Sequence, residues 1–429
     1  MVNLKMRFIL NISLIISIGL LGACSSSKKL STSNLAFIYQ NSQNQLDAQV
    51  GINHINAVIS ELHFSINSDK LLYAKKIDNE NFVARVKVHY EIFNSFDENK
   101  IIDSSSVFIS DTNNEKVNKV IYGKTQIKLA YPAEYIFRIS IVDLTRNTSD
   151  EKLLLVTKSD FTNAQNFFLS DAENNLPILS PNFKKGDKLK INYTYRTIDK
   201  LFVEYFYRDF DLPPPPFSSS GQKAFDYAPD SSFTINLSDS SSTLFTIEKE
   251  GFYFIKTVKS SQSGLTLFCF ENSFPKIKNH EDMIEPLRYI CSNKEFQTII
   301  SNPNAKSAVN EFWLNMAKQP EIAKMLIKNY YHRIEESNQF FTSYLQGWKT
   351  DRGMIFTIFG RPNVIYKDQK TETWIYGEEN TPMSISFLFI KVQNPFSDND
   401  FRLTRSPLLK NPWYNMVDNW RKGKIADQY

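Results

Sequence analysis

Cysteine is scarce in this 429-residue chain, with three residues, Cys24, Cys269 and Cys291. That excludes a disulfide-stapled scaffold, which depends on several bridges in place of a core, and a cysteine-rich zinc module. Histidine is nearly as sparse: His54, His63, His89, His280 and His332 are scattered, with no His-Glu-x-x-His and no metal site legible. Asp398-Asn399-Asp400 lacks the rest of an oxygen-rich calcium loop and reads as a turn. No Gly-x-x-x-x-Gly-Lys phosphate loop and no Gly-x-Ser-x-Gly nucleophile elbow occurs, so no cofactor is expected and no catalytic residue is assigned. Neither sign of charge dominates: 50 basic against 46 acidic residues leave a net +4, too weak a footprint for nucleic acid. What is present is a hydrophobic fraction of 42%, in a chain long enough to fill about three globular domains.

The N-terminus has a shape of its own. Lys5 and Arg7 precede an apolar run from Phe8 to Leu21, the anatomy of an export signal. The run falls short of the roughly 20 apolar residues that span a bilayer. It ends at Leu21-Gly22-Ala23-Cys24, which resembles the lipobox of bacterial lipoproteins. The resemblance implies a signal peptide over 1–23, acylation of the Cys24 thiol, and a polar tether over 24–45. Each buried methylene contributes about 0.8 kcal/mol, so two or three acyl chains hold where one does not. Ser25 lacks the aspartate that retains lipoproteins at the inner membrane, and Ser25 to Lys29 lacks an acidic surface-export run. The expected location is the outer membrane, lipid-anchored and facing the periplasm. In that oxidising space Cys269 and Cys291 either pair or stay as buried thiols; Cys269 lies in the apolar run Leu265 to Phe270.

After the tether, residues alternate. Phe82, Ala84, Val86, Val88, Tyr90 and Ile92 interleave with Arg85, Lys87, His89 and Glu91, and Tyr135 to Ile141 repeats the pattern, each a half-buried strand. Leu189, Ile191, Tyr193 and Tyr195 alternate with polar residues behind the turn Lys185-Gly186-Asp187, and strands are expected at 201–207, 233–237 and 252–258. Pro213 to Pro216 donate no backbone hydrogen bond, so 212–221 is expected to be an exposed polyproline-like loop.

Helical spacing then takes over. Ser292 to Glu295 matches a capping box, Ala308 to Met316 marks one apolar face, and a longer helix from Pro320 carries Ile322, Leu326, Tyr330, Ile334, Phe341 and Leu345 to a left-handed stop at Gly347. Met354, Phe356 and Ile358 alternate with Ile355, Thr357 and Phe359, which reads as a strand buried on both faces. Strands at 371–376 and 384–392 complete a small meander. The fold class is therefore multidomain and mainly β: two β-sandwich-like domains over 46–158 and 159–275, a helical connector over 276–346, and a C-terminal α+β domain over 347–429.

Gly347-Trp348-Lys349-Thr350-Asp351, then Arg352-Gly353 and Phe359-Gly360-Arg361-Pro362-Asn363, resembles the GWxTD-domain family of Bacteroidetes and related bacteria. The likeness covers about 305–425. It implies a cell-envelope setting but no reaction. The motif residues Gly347, Trp348, Thr350, Asp351, Arg352, Gly360 and Pro362 are expected to be structural: Trp348 fills a corner, Thr350 and Asp351 bond turn amides, and Arg352 pairs with a carboxylate. Asp351, Arg352, Arg361 and Glu335 or Glu336 are the acid-base groups that would meet if this corner were catalytic. Trp413, Tyr414, Trp420 and Arg421 in the basic tail are the candidate docking residues, since interface cores favour aromatics and arginine. The expected function is a non-catalytic scaffold or accessory binding subunit of a cell-envelope complex, with the membrane and envelope proteins as partners. The rivals are a hydrolase of envelope glycan or peptide and a carbohydrate-binding lipoprotein.

Overall fold

A computed structural model describes residues 29–39, 46–75, 81–115, 117–195, 198–220, 225–237, 242–271 and 273–425. Cys24, the lipobox residues Leu21, Gly22 and Ala23, and the signal segment lie outside them. The chain is mainly β, with several sheets and, among the described residues, five α-helices. No described helix is long and apolar enough to cross a membrane.

Alternating residues build the first two blocks. In the first, Gln49–His54, Ile59–Asn67 and Val120–Lys128 form one antiparallel sheet. Phe82–Phe93 is the hub of the other, paired with Asp103–Thr112 and Ala133–Asp143. The register sets Val88 opposite Ile141 and Tyr90 opposite Ile139, so inward positions meet inward positions and both sheets feed one apolar core. In the second block Lys188–Tyr193 is flanked by Phe167–Asp171 and Ser242–Thr246. A five-stranded sheet there runs through Lys200–Phe206, Gly251–Lys256 and Leu265–Cys269, and the two sheets share a second core.

The helices are α1 (Asn293–Ile300), α2 (Ala305–Ala317), α3 (Pro320–Phe341), α4 (Asp351–Phe359) and α5 (Lys410–Arg421). Ser292 and Glu295 form the capping box at α1. A four-stranded meander, Val364–Lys367, Thr371–Tyr376, Ile385–Lys391 and Phe401–Leu403, packs on them. Helices and meander share one core cluster, so the stretch expected as a connector is continuous in packing with the C-terminal α+β region.

Four local expectations change. The segment after the motif is helix α4, not a strand: all nine of its residues are buried, and a run apolar on every side carries no period to tell helix from strand. The long helix ends at Phe341, and Gly347 opens the 3-10 turn Gly347–Lys349 with no left-handed backbone. Its glycine is needed for contact, because a Cβ there would sit 1.8 Å from the Ser337 carbonyl oxygen. The tether is not loose throughout: Leu30, Leu35, Ala36 and Tyr39 are buried in the helix-meander core, and the Leu35 amide donates to the Ile365 carbonyl at 2.8 Å. The proline run is not an exposed loop either. Pro213 and Pro216 are buried, and the carbonyls of Pro214 and Pro216 accept from the Arg405 side chain and the Ser406 amide, both at 3.0 Å. Proline lacks a donor but keeps its acceptor, which is all this seat requires.

Candidate functional site

The motif corner is built around two close approaches. Gly347 lies against the end of α3, and Gly353, in the first turn of α4, lies against Gly347, where a Cβ would fall 1.9 Å from the Gly347 carbonyl oxygen. Only hydrogen fits at either place. Thr350 caps α4: its hydroxyl accepts from the Gly353 amide at 3.0 Å and donates to the Gly347 carbonyl at 2.7 Å. Trp348 is buried edge-on to Tyr289, whose hydroxyl donates to the Trp348 carbonyl at 2.9 Å, and the indole N–H donates to the Gln346 side chain at 2.7 Å. Gly360 ends α4 at φ +80°, a conformation that favours glycine, and Pro362 is buried beside it.

Asp351 and Arg352, each 1% exposed, leave the turn in different directions. The Asp351 carboxylate accepts from the Leu403 amide at 2.8 Å and from both terminal nitrogens of Arg405, at 2.5 and 3.2 Å. Burial pushes this carboxyl up, and Arg405 offsets only part of that. Arg352 donates to Glu372 at 3.2 Å, to the Tyr39 hydroxyl at 2.9 Å and to the Asn399 carbonyl at 3.0 Å, and its guanidinium lies 4.1 Å from the Phe401 ring centroid. Glu372 is fully buried and also accepts from Lys367 at 2.6 Å and from the Trp374 indole at 2.7 Å. Burial alone would raise its carboxyl; Lys367 and Arg352 outweigh that and hold it at about 2. Burial lowers Lys367 despite the carboxylate beside it.

Arg361 pairs instead with Glu336, which His332 also approaches at 3.4 Å, and Glu335 accepts from the Ile277 amide at 2.9 Å. Of the groups considered for acid-base work, Arg361 and Glu336 meet, whereas Asp351, Arg352 and Glu335 belong to separate networks, each with its own partners. Reading the sequence missed Glu372, Lys367, Tyr39, Asn399 and Arg405. One signal was available: Glu372 stands in phase with Trp374 and Tyr376 on its strand, so a carboxylate occupies a core position.

The docking candidates divide. Trp420 is fully buried, its indole donating to the Ile358 carbonyl at 3.0 Å, so it presents no surface to a partner, and Trp413 is buried too, with only an edge on a neighbouring cavity. Arg421 pairs with Glu295 at 2.7 Å. Tyr414 is exposed and borders a cavity of about 780 Å³ between the proline run and α1, which Arg288, Cys291, Trp413 and Arg421 also line. Cys269 and Cys291 are free, in separate cores, and burial raises their thiols to about 11 and about 12. Among the described residues no group of three or more His, Cys, Asp or Glu is placed to hold a metal.

This geometry defines a β-rich chain closed by a helix-meander module whose motif charges Asp351 and Arg352 are paired internally. Residues 251–422 match the GWxTD domain model, so this part of the chain is a GWxTD domain. The match begins upstream of the motif-based estimate and takes in the strands Gly251–Lys256 and Leu265–Cys269. Those strands also pack on the module: Phe252, Phe254 and Phe268 form one aromatic cluster with its Tyr344 and Phe396. No curated protein matches the chain. Among solved structures, red sea bream transglutaminase aligns at 8% identity over 52% of this chain and 31% of its own, with a TM-score of 0.19. A C-terminal fragment of intimin in complex with the intimin-binding domain of its translocated receptor aligns at 10% identity over 82% and 94%, with a TM-score of 0.14. Neither likeness carries an argument about this chain.

Proposed function

We propose that this protein is an outer-membrane lipoprotein, held by an acylated Cys24 and facing the periplasm, that works by binding as a scaffold or accessory subunit of a cell-envelope complex. In this reading 46–158 and 159–275 are sandwich domains, the second sharing the strands Gly251–Lys256 and Leu265–Cys269 with the GWxTD match, and they extend the binding surface beyond the motif-bearing module. The observation that carries the non-catalytic part is the burial of Asp351 and Arg352 against partners inside the core, the Arg352 Nε alone lacking one. A general acid or base has to reach a substrate proton within hydrogen-bond distance, and both groups are committed to partners inside the core.

The test is mild-detergent purification of the full chain from its native membrane, with mass spectrometry of the proteins that accompany it. The expected result is a reproducible set of envelope proteins, reduced by Tyr414→Ala without a change in melting, and a Cys24→Ser protein that leaves the membrane fraction. Turnover of envelope glycan or peptide by the pure protein, lost in Asp351→Asn at unchanged stability, would replace this reading with the hydrolase. A carbohydrate-binding role has one observation in its favour. A cleft of about 740 Å³ joins the exposed Tyr227 to Gln262, Gln393 and Asn394 beside the Glu204 and Lys256 pair, an aromatic face with amide partners. Saturable binding of soluble oligosaccharides, lost in Tyr227→Ala, would establish it.

A further inference from the structure

The cavity of about 780 Å³ beside Tyr414 lies where three distant parts of the chain meet: the proline run, the turn into α1 and one side of α5. Much of its wall is apolar. Tyr414, Val417 and Arg421 recur at helical spacing along α5, so one face of that helix lines the groove. Phe217, just past the prolines, packs on the Tyr414 ring with centroids 5.3 Å apart. Pro213, Pro214 and Pro215 also line it, and their fixed φ leaves little backbone freedom to lose when something binds.

Three charged side chains line the groove: Arg288, Glu295 and Arg421. Two of them cancel. Arg421 donates to both carboxylate oxygens of Glu295, at 2.7 and 3.1 Å, and the Ser292 amide donates to the same carboxylate at 2.8 Å. Arg288 has no acid: Glu285, three positions earlier, pairs with Lys349 at 2.7 Å. Its own bonds go to neutral groups, the Cys291 carbonyl at 3.2 Å and the Asn293 side-chain oxygen, and its guanidinium lies 5.6 Å from the Phe296 ring centroid. A guanidinium has five N–H donors. These contacts therefore fix its position and leave three donors that no described residue takes. A cation held in place at an apolar groove is suited to a carboxylate, which a guanidinium binds bidentately and with little further ordering.

We infer that this groove receives an acidic peptide segment of an envelope partner, with an Asp or Glu carboxylate on Arg288 and a bulky apolar neighbour against the proline and Tyr414 walls. The inference gives the binding role proposed above its partner chemistry and rests on that role. The charge of the occupant follows from the one wall cation left without a counter-ion. Its size follows from the rim. Tyr414 is 52% exposed, and Leu408, 86% exposed, comes two positions after Ser406, whose amide donates to the Pro216 carbonyl. A small acid on Arg288 would leave that apolar rim wet, whereas a peptide covers it.

The experiment titrates the full chain, by calorimetry, with two peptides capped at both ends, Ser-Phe-Glu-Phe-Ser and Ser-Phe-Gln-Phe-Ser, which differ by one carboxylate. The Glu peptide is expected to bind saturably at one site, about tenfold or more tighter than the Gln peptide, the share that a charge-assisted pair contributes. Arg288→Gln should abolish that preference at an unchanged melt, and Tyr414→Ala should weaken both peptides. Arg288 also braces the turn into α1, so the wild-type preference is measured against salt as well. It should shrink as ionic strength rises, which reads the same contact if Arg288→Gln unfolds. Equal binding of the two peptides, no saturable binding of either, or a preference indifferent to salt and to Arg288→Gln overturns the groove. With envelope proteins still co-purifying, each of those results leaves the scaffold reading standing. A chain that brings down no envelope protein overturns the scaffold reading itself, whatever the peptides do.

Discussion

The first β block and the GWxTD domain place their buried charge differently. In the block, the inward positions of Phe82–Phe93 and Ala133–Asp143 are apolar almost without exception, and their polar alternates face outward. In the domain, Arg352, Glu372 and Asp351 occupy positions as deep as Trp374 and Phe356. Taking two charges out of water costs several kcal/mol per ion, and their attraction repays it only when geometry and hydrogen bonds are complete. A core of Val and Ile tolerates repacking. A core holding Arg352 between Phe341 and Phe401, opposite Glu372, admits few alternatives. The same network ties the N-terminal segment 29–39 to the domain through Tyr39. The contrast teaches that the block keeps its buried charges Asp143, Asp150 and Lys158 apart, on backbone amides and a serine hydroxyl, whereas the domain gathers Arg352, Lys367 and Glu372 into one cluster.

The contrast breaks most sharply at Arg352. Arg352→Met should destabilise the GWxTD domain by about 3 to 5 kcal/mol, because it removes one of the two cations that hold the buried Glu372 carboxylate, and denaturant unfolding followed by tryptophan fluorescence reads it. A loss under about 1 kcal/mol would mean that Lys367 alone satisfies Glu372 and that the pairing is redundant.

Acid probes the same network. The folded state holds Glu372 at about 2, below its ordinary 4.5. Its contribution is therefore fully present above pH 4.5 and is lost as pH falls toward 2. Asp351 runs the other way: burial raises its carboxyl above the ordinary 3.8, so protonation relieves a cost instead of removing a support. Glu372→Gln should flatten the acid limb of the domain's stability profile and leave the first block's unchanged. An unaltered acid limb would remove Glu372 from the account.

Gly347→Ala comes next, at about 1 to 3 kcal/mol, the range for forcing a methyl into a filled site. The Ser337 carbonyl at 1.8 Å is backbone and cannot swing aside. A neutral effect in thermal melts would show that the end of α3 yields. Ile139→Val, in the first block, should cost least, about 0.5 to 1.5 kcal/mol, the usual figure for one buried methyl. It should shift only the block's own transition. If it shifts the GWxTD transition equally, the two regions unfold as one, and the contrast describes local chemistry within a single cooperative unit.

Strands with one wet face were legible because hydration imposes a period of two: 82–92 and 135–141 were readable as strands from alternation alone, as was the cap at Ser292 from its own spacing to Glu295. The motif, and with it the GWxTD domain, was legible because Gly347, Trp348, Thr350 and Asp351 lie within one pentapeptide. Residues 354–359 were misread as a strand because burial on every side erases periodicity. The proline run and the N-terminal segment 29–39 were misread because low local propensity says nothing about a distant groove that supplies acceptors, donors and apolar walls. Composition and local order along the chain thus determined which segments alternate, where α1 is capped and which family motif is present. Tertiary structure alone decided that Arg352 meets Glu372 and Tyr39, that Asp351 meets Arg405, and that Trp413 and Trp420 are core. Those pairings join residues 20, 54 and over 300 positions apart, and a contact at such separation is set by how whole elements pack, with no local physical signal of its own.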